Sequence, residues 1–70
     1  MIKLKISEKD NVFIDAEDID YAEYRTNWGI NTLPAIHIFM KNGSVYKVEY
    51  ADEFKPLAKK LKKYNIKFID

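Results

Sequence analysis

The sequence predicts a single α+β domain of order ββαββα, in which a four-stranded, mostly antiparallel sheet carries two helices on one face. Three observations lead there. Alternating apolar residues open the chain, a Lys-Asn-Gly turn separates two alternating runs in its second half, and an apolar stripe of helical period lies near its end. Seventy residues make one domain, 1–70, with no room for a separate catalytic or cofactor unit.

In residues 1–6, Ile2, Leu4 and Ile6 alternate with Lys3 and Lys5, the period of a half-buried strand. Residues 7–11 are polar and read as a turn. Val12, Phe13 and Ile14 then return as a second strand, antiparallel to the first because a parallel crossover needs a longer connection. From Ala16 the spacing is read as helical: Asp18 as N-cap, Asp20 and Glu23 in the early turns, Gly29 as the stop after Trp28. Tyr21, Tyr24, Arg25 and Trp28 would share one face of that helix, with the aromatics toward the sheet.

Ala35 to Met40 is apolar on both alternating faces, which predicts a central strand. Lys41-Asn42-Gly43 suits a tight hairpin because Asn and Gly tolerate positive φ, and residues 44–50 alternate as the returning strand. Asp52 is placed to cap a last helix. Its Phe54, Leu57, Ala58, Leu61 and Tyr64 form an apolar stripe opposite lysines, with Pro56 in the first turn. Residues 66–70 alternate weakly, as a short added strand or a frayed end. The order strand, strand, helix thus recurs about 34 residues on: Ile2, Leu4 and Ile6 echo Ile36, Ile38 and Met40, while Tyr21, Tyr24 and Trp28 echo Phe54, Leu57 and Leu61.

Composition narrows the chemistry. The chain has no cysteine, which excludes disulfides, thiol nucleophiles, redox pairs and thiolate metal sites. Two glycines, Gly29 and Gly43, are too few for a phosphate-binding loop, and one histidine, His37, cannot build a histidine metal cluster. His37 falls in the central strand and reads as a partly buried, hydrogen-bonded core histidine. Asp15, Glu17, Asp18 and Asp20 lack the pattern of a calcium loop and read as helix-start charges. No catalytic constellation, metal site or cofactor is therefore expected.

Charge is uneven along a chain of net +1. Residues 1–35 hold four basic and seven acidic side chains, a net of −3, whereas residues 36–70 hold eight lysines and four acids, a net of +4. Lys55, Lys59 and Lys63 form an i, i+4, i+8 row on the last helix, beside Lys60 and Lys62. No apolar stretch is long enough for a membrane span, and the first residues do not read as a signal peptide, so a cytoplasmic location is expected.

The run Trp28-Gly29-Ile30-Asn31-Thr32-Leu33-Pro34-Ala35-Ile36-His37-Ile38-Phe39, followed by Lys41-Asn42-Gly43, resembles the C-terminal half of thioredoxin-like proteins. Val12-Phe13-Ile14-Asp15 and the acidic continuation are similar to that family's second strand and following helix, so the resemblance spans residues 12–64. It implies a thioredoxin-like sheet lacking the N-terminal redox βα unit, since the CxxC loop and its strand are absent. It also implies that Pro34 matches the family's cis-proline, whose loop exposes main-chain groups to extended peptides. Thr32, Leu33, Pro34 and Trp28 would border that peptide-binding edge.

The expected function is a small non-catalytic protein-binding module, a regulator or inhibitor of a larger protein, acting through Trp28, Thr32, Leu33, Pro34, Tyr21, Tyr46 and Tyr50. Aromatic residues left exposed together mark interfaces. The alternative is a nucleic-acid-binding protein that runs Lys55, Lys59, Lys60 and Lys63 along phosphates. So small a core also favours a homodimer, formed through an edge strand or the C-terminal tail.

Overall fold

A computed structural model describes residues 2–70. These residues form strands β1 (Lys3–Ser7), β2 (Val12–Asp15), β3 (Ile19–Arg25), β4 (Ala35–Met40), β5 (Val45–Val48) and β6 (Lys67–Ile69), with one α-helix, α1 (Phe54–Lys63). The fold is α+β. β1 and β2 pair with each other as a separate antiparallel ribbon, and the four-stranded sheet has the order β5-β4-β3-β6. It is mixed: β3–β4 and β4–β5 are antiparallel, while β6 lies parallel to β3.

The principal correction concerns residues 18–28, where the expected helix is a strand. β3 pairs along its length with β4, from Ile19 opposite Met40 to Arg25 opposite Ala35. The register slips between Ile19 and Tyr21, so Asp20 is the extra residue of a β-bulge. That bulge turns both Ile19 and Ala22 toward the core. Two buried residues three apart are the local signature of a helix, and here a bulged strand produces it. Ile, Tyr and Tyr also favour the pleated surface, and pairing with β4 on one side and β6 on the other satisfies both edges of β3. With one helix instead of two, the 34-residue echo does not extend to the structure: Tyr21 and Tyr24 lie on a strand and Trp28 on a loop, whereas Leu57 and Leu61 lie on α1. A strand also occupies the place that the thioredoxin-like resemblance gives to a helix, and the bond before Pro34 is trans.

Smaller differences follow from the same geometry. Asp18 is not an N-cap; Asp15 Oδ1 instead accepts from the Glu17 amide at 3.0 Å and closes a 3-10 turn, Ala16–Asp18. Asp52 makes no capping bond to α1, which is entered through a second 3-10 turn, Ala51–Glu53. Pro56 sits in the first turn of α1, as its missing amide requires. Tyr64 lies past the helix and is exposed. There the Ile66 amide donates to the Leu61 carbonyl at 3.0 Å and the Asn65 amide to that of Lys62 at 3.1 Å, with Asn65 at φ 59°. This is a Schellman closure, and it drops Ile66 onto the core and feeds the chain into β6.

β5 and β6 run in the same direction at opposite edges of the sheet, so the connection between them must cross it. α1 makes the crossing, with Leu57 and Leu61 buried against Ile36, Ile38, Val48 and Ala22. The β1–β2 ribbon completes this layer with Leu4, Ile6 and Ile14. A register shift between Lys5 and Ser7 makes Ile6 the extra residue of β1, so Ile6 and Ser7 are buried in succession. Ser7 Oγ then donates to Glu53 Oε2 at 3.2 Å and accepts from the Asp10 amide at 3.1 Å, while the Glu8 amide donates to Glu53 Oε1. A buried carboxylate at the start of α1 thereby fastens the ribbon's tip to the helix. No helix among the described residues is long and apolar enough to cross a membrane.

Candidate interaction surface

The helix and ribbon cover one face of the sheet, and the other face is open. By alternation this open face receives Tyr21, Glu23 and Arg25 from β3, His37 and Phe39 from β4, and Val45 and Lys47 from β5. Tyr21 stacks on Phe39 with ring centroids 4.6 Å apart, and the Arg25 guanidinium lies 5.3 Å from the centre of the Phe39 ring. Arg25 Nε donates to Glu23, so the guanidinium is held by an acid and an aromatic together. Further along, Trp28 meets His37 edge to face at 4.8 Å, and the Lys47 ammonium sits 4.8 Å from the Trp28 ring centre. A series of rings, Trp28, His37, Phe39 and Tyr21, runs across the open face.

This arrangement buries His37 to 4% exposure. Burial pushes its pKa below the ordinary histidine value, the positive charges of Arg25 and Lys47 push the same way, and Glu23 and Glu49 partly oppose them. The ring is therefore neutral near pH 7. Among the described residues, its Nε2 has no hydrogen-bond partner, which corrects the expectation of a hydrogen-bonded core histidine. What His37 does is support Trp28.

Trp28 in turn fixes loop 26–34. Its Nε1–H donates to the Leu33 carbonyl at 2.8 Å, and Thr32 Oγ1 donates to the Gly29 carbonyl at 3.0 Å. Gly29 packs closely under Thr32: a Cβ there would lie 3.0 Å from Thr32 Cγ2, so the Thr32 side chain would have to shift by a few tenths of an ångström. Asn31 takes the left-handed conformation that lets the loop double back, φ 59°. The loop so pinned leaves Ile30 92% and Leu33 64% exposed, with Pro34 exposed beside them.

Of the residues singled out in the sequence, Trp28, Thr32, Leu33 and Pro34 thus lie on one loop, and Tyr21 joins them through the ring series. Tyr46 and Tyr50 lie elsewhere. Tyr46 points to the helix side of the sheet and lines a groove of about 370 Å³ with Phe13, Lys3 and Met40. Tyr50 donates its hydroxyl to Asp10 Oδ1 at 2.9 Å beneath the Lys9 ammonium, and this bond to a carboxylate raises its pKa. Ile30, the most exposed large apolar side chain among the described residues, is not singled out by the sequence. Its signal was an aperiodic set of apolar residues, Trp28, Ile30 and Leu33, where two strands need only a turn.

The lysines of α1 divide. Lys55, Lys59, Lys62 and Lys63 are exposed and take part in no ion pair among the described residues. Lys60 leaves the row, since its Nζ donates to the Lys5 carbonyl at 3.3 Å and lies 3.9 Å from Glu8. Beside it a recess of about 220 Å³ is lined by Lys5, Lys9, Glu8, Asp52 and Glu53. Its charges are already matched, with Lys5 at 3.0 Å from Glu8 and Lys9 at 3.2 Å from Asp52. No group of three or more metal-ligating side chains occurs among the described residues. Comparison of the chain with protein-family models, curated proteins and solved structures finds no match.

Proposed function

We propose that the chain is a non-catalytic protein-binding module, a regulator or inhibitor, that offers Ile30 and Leu33 to an apolar pocket on a larger protein. One observation carries this: two large apolar side chains are held in solvent on a loop that its own side chains pin. Single exposed apolar residues are ordinary, but a fixed pair at a loop tip resembles the anchors of interfaces. A preformed loop also loses less conformational freedom on binding than a mobile one. The thioredoxin-like resemblance assigns this edge to peptide binding through the main chain at Pro34; the present reading rests on the side chains instead.

A photo-crosslinking residue placed at position 27, exposed on the same loop, should capture one protein from source cells, and the same residue at position 59 should not. Ile30→Ser and Leu33→Ser should each cut that capture about tenfold, with unchanged thermal melts. Undiminished capture by the double variant overturns the proposal.

A second reading has its own observation, the unpaired row Lys55, Lys59 and Lys63, which suits a phosphate backbone. The ring series Trp28, His37, Phe39 and Tyr21 lies on the opposite side of the sheet, with Phe39 and Trp28 already covered by Arg25 and Lys47, whereas exposed Tyr64 lies beside the row, 6.0 Å from the Lys63 ammonium. Replacing the three lysines with Glu should abolish a salt-sensitive anisotropy change of a labelled oligonucleotide. If the wild-type protein gives no change at low salt, this reading fails.

A further inference from the structure

Among the described residues, the sheet ends at β5 in a strand edge that no other strand covers. The Met40 amide bonds the Ser44 carbonyl at 2.8 Å, and Tyr46 and Val48 stand opposite Ile38 and Ile36. By the alternation of an antiparallel ladder, Ser44, Tyr46 and Val48 turn their main-chain groups inward to β4, whereas Val45 and Lys47 turn theirs to solvent. Tyr50, two residues past the strand, is still extended at φ −90°, ψ 110°. Val45 and Tyr46 are 42% and 43% exposed, so this edge carries apolar surface as well as free donors and acceptors. The opposite edge, β6, is three residues long.

The geometry points to a second copy of this chain as the occupant, with β5 pairing antiparallel to β5 of its twin about a two-fold axis at Val48. The sequence Tyr46-Lys47-Val48-Glu49-Tyr50 is self-complementary about that centre. Lys47 faces Glu49 of the twin twice over on the open side of the sheet, and Tyr46 faces Tyr50 of the twin twice over on the helix side. Val48, its side chain already buried in its own core, lies on the axis opposite Val48 of the twin. Opposite charges and aromatic pairs in directly opposed positions are the favourable cross-strand combinations. Lys47 turns its main-chain groups outward, and the extended chain past the end of β5 continues the alternation to Glu49, so this register makes hydrogen bonds where the ion pairs form.

Other registers that match outward groups are worse. Centring on Lys47 opposes two ammonium groups, and centring on Tyr46 sets Lys47 against Val45 and leaves Glu49 without a cation. Charge thus favours the register centred on Val48 over both of these. The axis stands perpendicular to the sheet, and the result is one eight-stranded sheet with both copies of α1 on the same side. The contact is small, and Lys47 is also attracted to its own Trp28 ring, so the dimer is a weak one, with a dissociation constant of about micromolar to millimolar. This inference is independent of the Ile30 and Leu33 reading.

Sedimentation equilibrium on the whole chain, up to about millimolar concentration, tests it. The wild-type mass should rise toward that of two chains. Lys47→Glu alone and Glu49→Lys alone should each weaken dimerisation about tenfold or more, because each opposes like charges. Mixing the two variants should give a one-to-one heterodimer, since every pair is then opposite in sign, and this also shows that both are folded. Lys47→Pro, which removes an outward amide and none of the β4 bonds, should stay monomeric. Ile30→Ser should dimerise as the wild type does. A monomeric wild type, single variants that dimerise unchanged, or a mixture that stays monomeric overturns the proposal; loss of the dimer with Ile30→Ser overturns it by placing the interface at the loop.

Discussion

The two connections that flank β4 close antiparallel hairpins by opposite means. At its C-terminal end, residues 41–43 turn on main-chain bonds: the Gly43 amide to the Met40 carbonyl at 3.0 Å and the Met40 amide to the Ser44 carbonyl at 2.8 Å. Asn42 Oδ1 adds a bond to the Ser44 amide at 2.9 Å, and Gly43 supplies the left-handed φ of 94°. At its N-terminal end, residues 26–34 are held by side chains: the Trp28 indole on Leu33, the Thr32 hydroxyl on Gly29, and Trp28 on His37. The short turn presents Lys41 and Asn42 to water. The long one presents Ile30 and Leu33. A loop that must hold apolar residues in solvent needs an anchor in the fold, and Trp28 is that anchor.

The largest effect on this contrast should come from Trp28→Ala. It removes a half-buried indole, uncovers His37 and frees the Leu33 carbonyl, at a cost of about 2 kcal/mol, below the range for fully buried Trp because the ring is partly exposed. Thermal denaturation should show a fall of about 10 °C, given 4–8 °C per kcal/mol for a domain of this size. Amide exchange should quicken in 26–34 and not in 41–43. Equal quickening in both would mean the two turns are not held separately.

Gly43→Ala should cost less, about 1 kcal/mol. A Cβ there meets nothing within 4 Å, so the whole effect is the left-handed φ, and Gly43→Asn should recover most of it. Urea melts of both variants separate this backbone origin from a steric one, under which Asn would be worse than Ala.

The third effect is a slope in pH. The folded-state pKa of His37 lies below its unfolded value of about 6.5, chiefly through burial, so in acid the unfolded chain takes up a proton before the folded one does. Its contribution is complete above about pH 6.5 and declines as pH falls from there toward the folded-state value. Stability of the wild type and of His37→Gln, compared across this range, should show the wild type losing more on acidification. Parallel curves would mean that Trp28 does not shield the ring.

Where bonds are local, the sequence was easy to read. The Lys-Asn-Gly turn, the alternation of β1, the doubly apolar β4 and the stripe of α1 each follow from neighbours within a few residues. β3 reads as a helix because Tyr21, Tyr24, Arg25 and Trp28 fall at helical spacing, and only the register with β4 sets Tyr21 and Arg25 on the open side of the sheet, Tyr24 on the core side and Trp28 beyond the strand. β6 was ambiguous for the same reason, since its partner lies some forty-five residues upstream. At the candidate surface, Trp28, Thr32, Leu33 and Pro34 were named through the thioredoxin-like resemblance, as the border of a peptide-binding edge at Pro34. Ile30 could not be told from a core residue until the loop was seen to point it away, and the roles of Arg25, Phe39 and Lys47 depend on which strands are neighbours. Tyr46 and Tyr50 were grouped with Trp28 as aromatics, and the sheet placed them elsewhere.

Sequence by itself determined the chemistry this protein lacks in cysteine and glycine, the helix with its lysine face, and the hairpin at Gly43, because composition and short-range spacing are properties of the chain alone. Tertiary structure decided that residues 19–25 are a strand, that Trp28 closes over His37, and that the β5 edge stands open. Each of these depends on which distant segment supplies hydrogen bonds or cover, and a period of two or three and a half carries no record of its partner.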